Sequence, residues 1–238
     1  MASRKEQKEQ LRREREEREA AAKAAERRRK LIGYGTAGAV VAVAAVVLVV
    51  LLVAGGGDGD GGSENAVLPT GIDPPEQKVT DLEDAVKAAG CELKSYRATS
   101  REHSDDPAER LTYESKPPTS GRHFATPAED GEYESAPAVG ELVHSLEHGR
   151  IVIWFKKNLP RNDRGILKGL FDEDPYQMLI TPDPTRMTYA VAATAWNADP
   201  QPNGTGRLLG CKRFDAKVFD AIRTFRDEHR GNGPEPVP

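Results

Sequence analysis

The stretch Glu141-Leu-Val-His-Ser-Leu-Glu-His-Gly-Arg-Ile-Val-Ile-Trp-Phe155 sets two unlike signals side by side. Its first half places His144 and His148 four residues apart, with Glu147 beside them. Its second half, from Ile151 to Phe155, is an unbroken apolar run suited to a buried strand. Gly149 stands between them as a helix stop. One or two helical turns from Glu141 to His148 should therefore feed a central strand. The backbone decides the chemistry here. Residues four apart lie about 5–6 Å from each other on a helix, but four strand residues span roughly 13 Å, so the two histidines can converge only on a helix or turn.

Outward from this stretch, the patterns mix strand and helix. Thr80-Asp-Leu-Glu83 is a capping-box pattern, with Leu82, Val86 and Ala89 on one helical face and Gly90 as the stop before Cys91. Residues 92 to 140 read mostly as loop. Within them Lys116-Pro-Pro-Thr-Ser-Gly-Arg-His123 cannot be helix interior and should build a rigid turn carrying His123 towards His144. After the central strand, Asn162 or Asp163 can cap a helix running to Leu170. Tyr176 to Ile180 and Thr188 to Trp196 read as further strands. Phe214, Val218, Phe219, Ile222 and Phe225 share one face of a last helix between Asp215 and Gly231. No regular βαβ repeat is seen. The expected fold class is α+β, a small mixed sheet with flanking helices, preceded by a single transmembrane helix.

That transmembrane expectation rests on residues 31–53, which carry no charge across a solid Ala/Val/Leu run. The run is long enough to cross about 30 Å of hydrocarbon, and longer than the core of a cleaved signal peptide. Arg27-Arg-Arg-Lys30 abuts its N-terminal end, and nothing basic follows it. The positive-inside rule then leaves the N-terminus in the cytoplasm and the rest of the chain outside. The expected organisation is a charged cytoplasmic arm (1–30), a single-pass cell-membrane anchor (31–53), a flexible Gly/Asp-rich linker (54–74) and an extracytoplasmic domain (75–238).

Charge follows the same division. The arm holds 12 Lys/Arg and 7 Asp/Glu, a net of +5, and the remaining residues hold 22 and 31, a net of −9. No basic surface is implied for the main domain, so nucleic acid is not an expected partner, while the protein partner is left unnamed. The two cysteines, Cys91 and Cys211, both fall on the expected outer side. In an oxidising compartment such a pair reads as a structural disulfide, worth roughly 3–5 kcal/mol for so long a loop. A thiol or metal pair is the rival reading, and it lacks CxxC spacing.

His144-Ser-Leu-Glu-His148 matches H-x-x-E-H, in which two histidines hold zinc and the glutamate acts as base. The helix is short for that protease class, and no downstream acidic ligand stands out. A metal site without proteolysis is more economical. His123, His144 and His148 would bind zinc or copper, with Glu147 as a ligand or just behind the ligands, and Met178 or Met187 as soft extra candidates. The competing reading is that these histidines only bond neighbouring carbonyls and tie loops to the core. Ser115, Ser120 and Ser145 lie near histidines, but no G-x-S-x-G elbow occurs, so an enzyme is the third reading and no catalytic residue is assigned. His103 and His229 sit in charged surroundings and read as solvated.

The pattern Tyr113-Glu-Ser-Lys-Pro-Pro-Thr-Ser-Gly-Arg-His123, followed by Val143-His-Ser-Leu-Glu-His-Gly-Arg-Ile-Val-Ile153, resembles the bacterial, mainly actinobacterial, domain-of-unknown-function family 3105. Thr194-Ala-Trp196, Cys211 and Phe225-Arg-Asp-Glu-His-Arg-Gly231 fit its C-terminal part, so the resemblance covers roughly residues 75 to 235. It implies an exported or single-pass protein, supports the disulfide, and directs attention to His123, His144, Glu147 and His148. Asn197 departs from the pattern, where the family is expected to carry Gly and often His. Two functions follow as expectations: a membrane-anchored domain binding copper or zinc through a His cluster, or a non-catalytic envelope interaction module with structural histidines.

Overall fold

The computed structural model describes residues 68–69 and 71–235. The charged arm, the apolar stretch 31–53 and most of the Gly/Asp-rich linker lie outside the described residues. Among the described residues no helix is long and apolar enough to cross a membrane.

Twelve elements follow in order: α1 (Leu82–Ala89), β1 (Glu92–Arg97), β2 (His103–Ser104), β3 (His123–Phe124), β4 (Gly131–Glu132), α2 (Val139–Glu147), β5 (Ile151–Phe155), α3 (Arg161–Glu173), β6 (Met178–Pro182), β7 (Val191–Asn197), β8 (Thr205–Cys211) and α4 (Val218–His229). Six strands form one mixed sheet in the order β1-β8-β7-β5-β6-β4, and β2 and β3 form a separate parallel pair. From β1 to β5 the neighbours are antiparallel; β5, β6 and β4 are parallel. The α+β class with a mixed sheet and flanking helices is what the sequence predicts.

β5 sits inside the sheet, and its alternation explains the apolar run. Ile151, Ile153 and Phe155 point to one face, where they meet Leu82 and Val86 of α1, Leu167 and Leu170 of α3, and Phe219 and Phe225 of α4. Val152 and Trp154 point to the other, where Leu142, Val143 and Leu146 of α2 cover them together with Trp196 and Leu208. A strand buried on both faces needs no polar alternation. Trp154 Nε1 reaches Thr194 Oγ1 at 2.8 Å, satisfying the one donor this burial encloses.

Several boundaries shift from the sequence expectation. Asp81 rather than Thr80 caps α1, its carboxylate accepting Asp84 N–H at 2.9 Å; Asp is at least as good a cap as Thr. Gly90 ends that helix at φ 63°, as the stop signal requires. α3 starts after Pro160 without a side-chain cap and runs to Glu173, three residues past Leu170. β6 starts at Met178 and carries Pro182 as its last residue, a place where the missing N–H is tolerated. α2 runs from Val139 to Glu147, with the Glu141 carboxylate reaching back to Ala138 N–H at 3.2 Å. Gly149 then turns the chain at φ 82°.

β1 falls in the stretch that the sequence reads mostly as loop, and β8 in a stretch to which the sequence assigns no element. β1 is a largely exposed edge strand of charged residues, and β8 contains Gly206 and Gly210, which count against a strand. The glycines are there for close approach. A Cβ on Gly206 would lie 2.1 Å from Thr119 Oγ1, and one on Gly210 would lie 2.4 Å from the Tyr189 ring. The Pro117–Gly121 turn therefore packs directly on β8, and this seats His123. Cys91, just past α1, is disulfide-bonded to Cys211 at the end of β8, 120 residues away.

His229, read as solvated, is 6% exposed at the end of α4. Its Nδ1 accepts from Asn197 Nδ2 at 3.4 Å, so the residue that departs from the family pattern packs against α4. Burial, helped by the charge of Arg207, pushes the His229 pKa down to about 4. The unfolded chain therefore takes up this proton first, and stability falls as pH drops from about 6.5 towards 4. This group should account for about 2 kcal/mol lost between about pH 7 and about pH 5. Urea titrations at the two pH values should show the difference shrinking by that amount in His229→Gln; an equal loss in both proteins would refute it.

Candidate metal centre

Three elements converge below the α2–β5 turn. In the β2–β3 pair His103 stands opposite His123, held by His123 N–H to Glu102 O at 3.1 Å and Ala125 N–H to Ser104 O at 3.2 Å. α2 supplies His144 and, one turn later, Glu147. The rings of His103, His123 and His144 lie with centroids 4.5 to 4.8 Å apart. The buried Trp196 forms a wall, its ring edge-on to His123 at 5.8 Å. One donor atom from each of His103, His123, His144 and Glu147 lies within 4.8 Å of all the others.

Hydrogen bonds set which ring atoms face inward. His123 Nδ1 bonds Gly121 O at 2.7 Å, and His144 Nδ1 bonds Phe124 O at 2.7 Å. A carbonyl oxygen only accepts, so each Nδ1 carries the proton, and the neutral ring presents its lone pair at Nε2. Such carbonyl contacts are the usual support behind a ligating histidine.

Glu147 is fully buried, and Arg101 Nε donates to its Oε1 at 2.6 Å. That leaves Oε2 facing His123 Nε2 at 3.0 Å and His103 Nε2 at 3.6 Å. The His123 contact has the distance of an ion pair, and neither atom makes a hydrogen bond. Two lone-pair acceptors at this separation repel unless His123 is protonated or both face a shared cation. Burial opposes the Glu147 charge, but His123 and Arg101 outweigh it and hold the carboxyl down at about 2. Burial, with His123, His148 and His103 adding to it against the Phe124 carbonyl, pushes His144 down to about 4. At neutral pH Glu147 and His144 are therefore deprotonated, the forms in which they bind metals.

Three imidazole nitrogens and one carboxylate oxygen are a donor set that zinc accepts tetrahedrally, with bonds of about 2.0–2.2 Å. Closing on an ion from the observed spacing takes side-chain movements on the order of 1 Å. His103, with its side chain 41% exposed, leaves one side of the cluster open to solvent.

The structure thus brings His123, His144 and Glu147 together and adds His103, whose charged surroundings in the sequence suggest a solvated side chain. Nothing in the composition around His103 marks it; only its register opposite His123 does. His148 is placed differently. It is half-buried, stacks beside His144 at 4.6 Å between centroids, and its Nδ1 bonds Glu235 O at 2.9 Å, outside the group of four. Met178 lies in the core on the opposite face of the sheet, and Met187 in the core under α2. Ser145 Oγ donates to Ala128 O at 2.7 Å, and Ser115 shares a hydrogen bond with Thr119, so neither is paired with a histidine base.

No curated protein and no solved structure matches the chain. The family model described as a protein of unknown function, DUF3105, matches residues 103–237, which begins at His103 and includes all four converging residues. Since this match spans more than half of the 238 residues, the chain belongs to the protein-of-unknown-function family DUF3105.

Proposed function

We propose that this protein binds a transition metal through His103, His123, His144 and Glu147, in a domain anchored to the outer face of the cell membrane. The observation carrying the proposal is that one donor atom from each of these four residues lies within 4.8 Å of the others, with the buried His123 Nε2 and Glu147 Oε2 facing each other at 3.0 Å and neither making a hydrogen bond. A cation held by both would give each of these atoms a bond. The nitrogen-rich donor set favours zinc or copper(II) over copper(I), which prefers sulfur ligands. The Cys91–Cys211 disulfide supports an oxidising compartment, and the uncharged stretch 31–53 with its preceding Arg/Lys cluster supports the anchor.

A second reading has two observations in its favour. Arg101 neutralises Glu147 directly, and each Nδ1 of His123, His144 and His148 ties a loop to the core. On that reading the cluster is structural, and the domain is an interaction module. The two separate on one measurement. The purified full chain, stripped with chelator and titrated with zinc or copper(II), is expected to bind one ion per chain. His123→Ala and His144→Ala are expected to bind at least tenfold more weakly, and His148→Ala close to wild type. No stoichiometric binding to wild type would leave only the interaction module.

A further inference from the structure

We infer that the chain has a second ligand site, for a small organic carboxylate, at the carboxyl ends of β5, β6 and β4. The topology places it. β4, β6 and β5 are parallel neighbours, with β6 in the middle. The chain leaves β4 for α2 on one face of the sheet, and leaves β5 for α3 on the other. Connections that part to opposite faces open a crevice at the carboxyl ends of the strands, where ligands of open α/β sheets bind. A cavity of about 400 Å³ is found there, lined by residues just after β4 (Tyr133), at the ends of β5 (Phe155, Lys157) and β6 (Pro182, Pro184), and in the first turn of α3 (Arg164). Its size is within the range of small-molecule pockets.

Charge names the ligand class. Several cations of this domain are paired, such as Lys168 with Glu132 and Asp172, Arg223 with Glu173, and Arg230 with Asp174. Arg164 and Lys157, which both line the cavity, form no ion pair among the described residues. A carboxylate is the natural bidentate partner of a guanidinium. Phe155, Tyr133, Pro182 and Pro184 offer an apolar wall for the body of the ligand. Glu134, another lining residue, forms no ion pair among the described residues and disfavours a dianion, so a monocarboxylate is preferred over a phosphate ester. β5 separates this cavity from the histidine cluster by its whole length, on the order of 13 Å, so the two sites are distinct.

The test uses the full chain and three probes with one ring: benzoate, its neutral analogue benzamide, and phenyl phosphate. Saturable binding of benzoate is expected by calorimetry or ligand-observed NMR, with phenyl phosphate weaker and benzamide weaker still. Arg164→Gln is expected to lose about tenfold in benzoate affinity, the worth of one charge-assisted contact. Lys157→Gln, at an exposed position that the fold does not need, should lose affinity in the same direction, and His144→Ala should lose none. Equal binding of benzamide, unchanged binding by both cavity variants, or no saturable benzoate binding to wild type would overturn the site.

Discussion

Reducing the Cys91–Cys211 bond, or replacing both cysteines with alanine, should destabilise the domain by about 4–5 kcal/mol in the chain-entropy account of a loop this long. The effect is large because the bond joins the start of the domain to its end. It pins the α1–β1 segment to β8, while α1 contributes Leu82, Ala85, Val86 and Ala89 to the larger core. The β1–β8 ladder runs beside it, from Glu92 opposite Gly210 to Arg97 opposite Thr205, and would persist without the bond but on a costlier loop closure. Urea unfolding with and without reductant measures this. A loss under about 1 kcal/mol would mean that the ladder and α1 hold the ends together unaided.

Arg101→Gln should have two effects of opposite sign. In the metal-free chain it leaves the Glu147 carboxylate buried with only His123 and His103 to balance it. Breaking a buried pair from one side costs about 3–5 kcal/mol; since the Arg101 side chain is 30% exposed and partly bonded to Glu235, about 2–3 kcal/mol is the better figure. Adding zinc should recover more stability in this variant than in wild type, because a competing cation has been removed from beside the carboxylate. Thermal unfolding of both proteins with and without zinc reads both effects. If zinc leaves Arg101→Gln as unstable as before, the cluster does not bind the ion, and Arg101 serves the structural network alone.

The central part of the fold was legible because its burial is written locally. Ile151 to Phe155 carries no polar residue and is a strand covered on both faces. Phe219, Ile222 and Phe225 fall on one helical face and are buried there. Gly90 and Gly149 end their helices with positive φ, as their positions indicate. What was missed lies at edges and in close contacts. β1 shows charges on an exposed edge, and β8 hides its strand character behind two glycines whose reason is a neighbour more than 80 residues away in one case, Thr119 beneath Gly206. His229 looked like a solvated residue in a run of charges, but the α4 turn that carries it packs inward against Phe225 and Asn197.

The candidate metal centre divides along the same line. The spacing of His144 and Glu147 within one short helix is local, since i and i+3 share a face whatever the rest of the chain does. The sequence also marked His123, through the turn that carries it. Which further imidazole joins them depended on contacts between distant segments. A parallel pairing of only two residues puts His103 opposite His123, and a hydrogen bond from Nδ1 to the Glu235 carbonyl draws His148 aside. Local patterns specify helix faces and buried strands because one to two turns of chain suffice to express them. Registers between short strands, and the choice among nearby histidines, are settled by long-range packing that leaves no periodic trace.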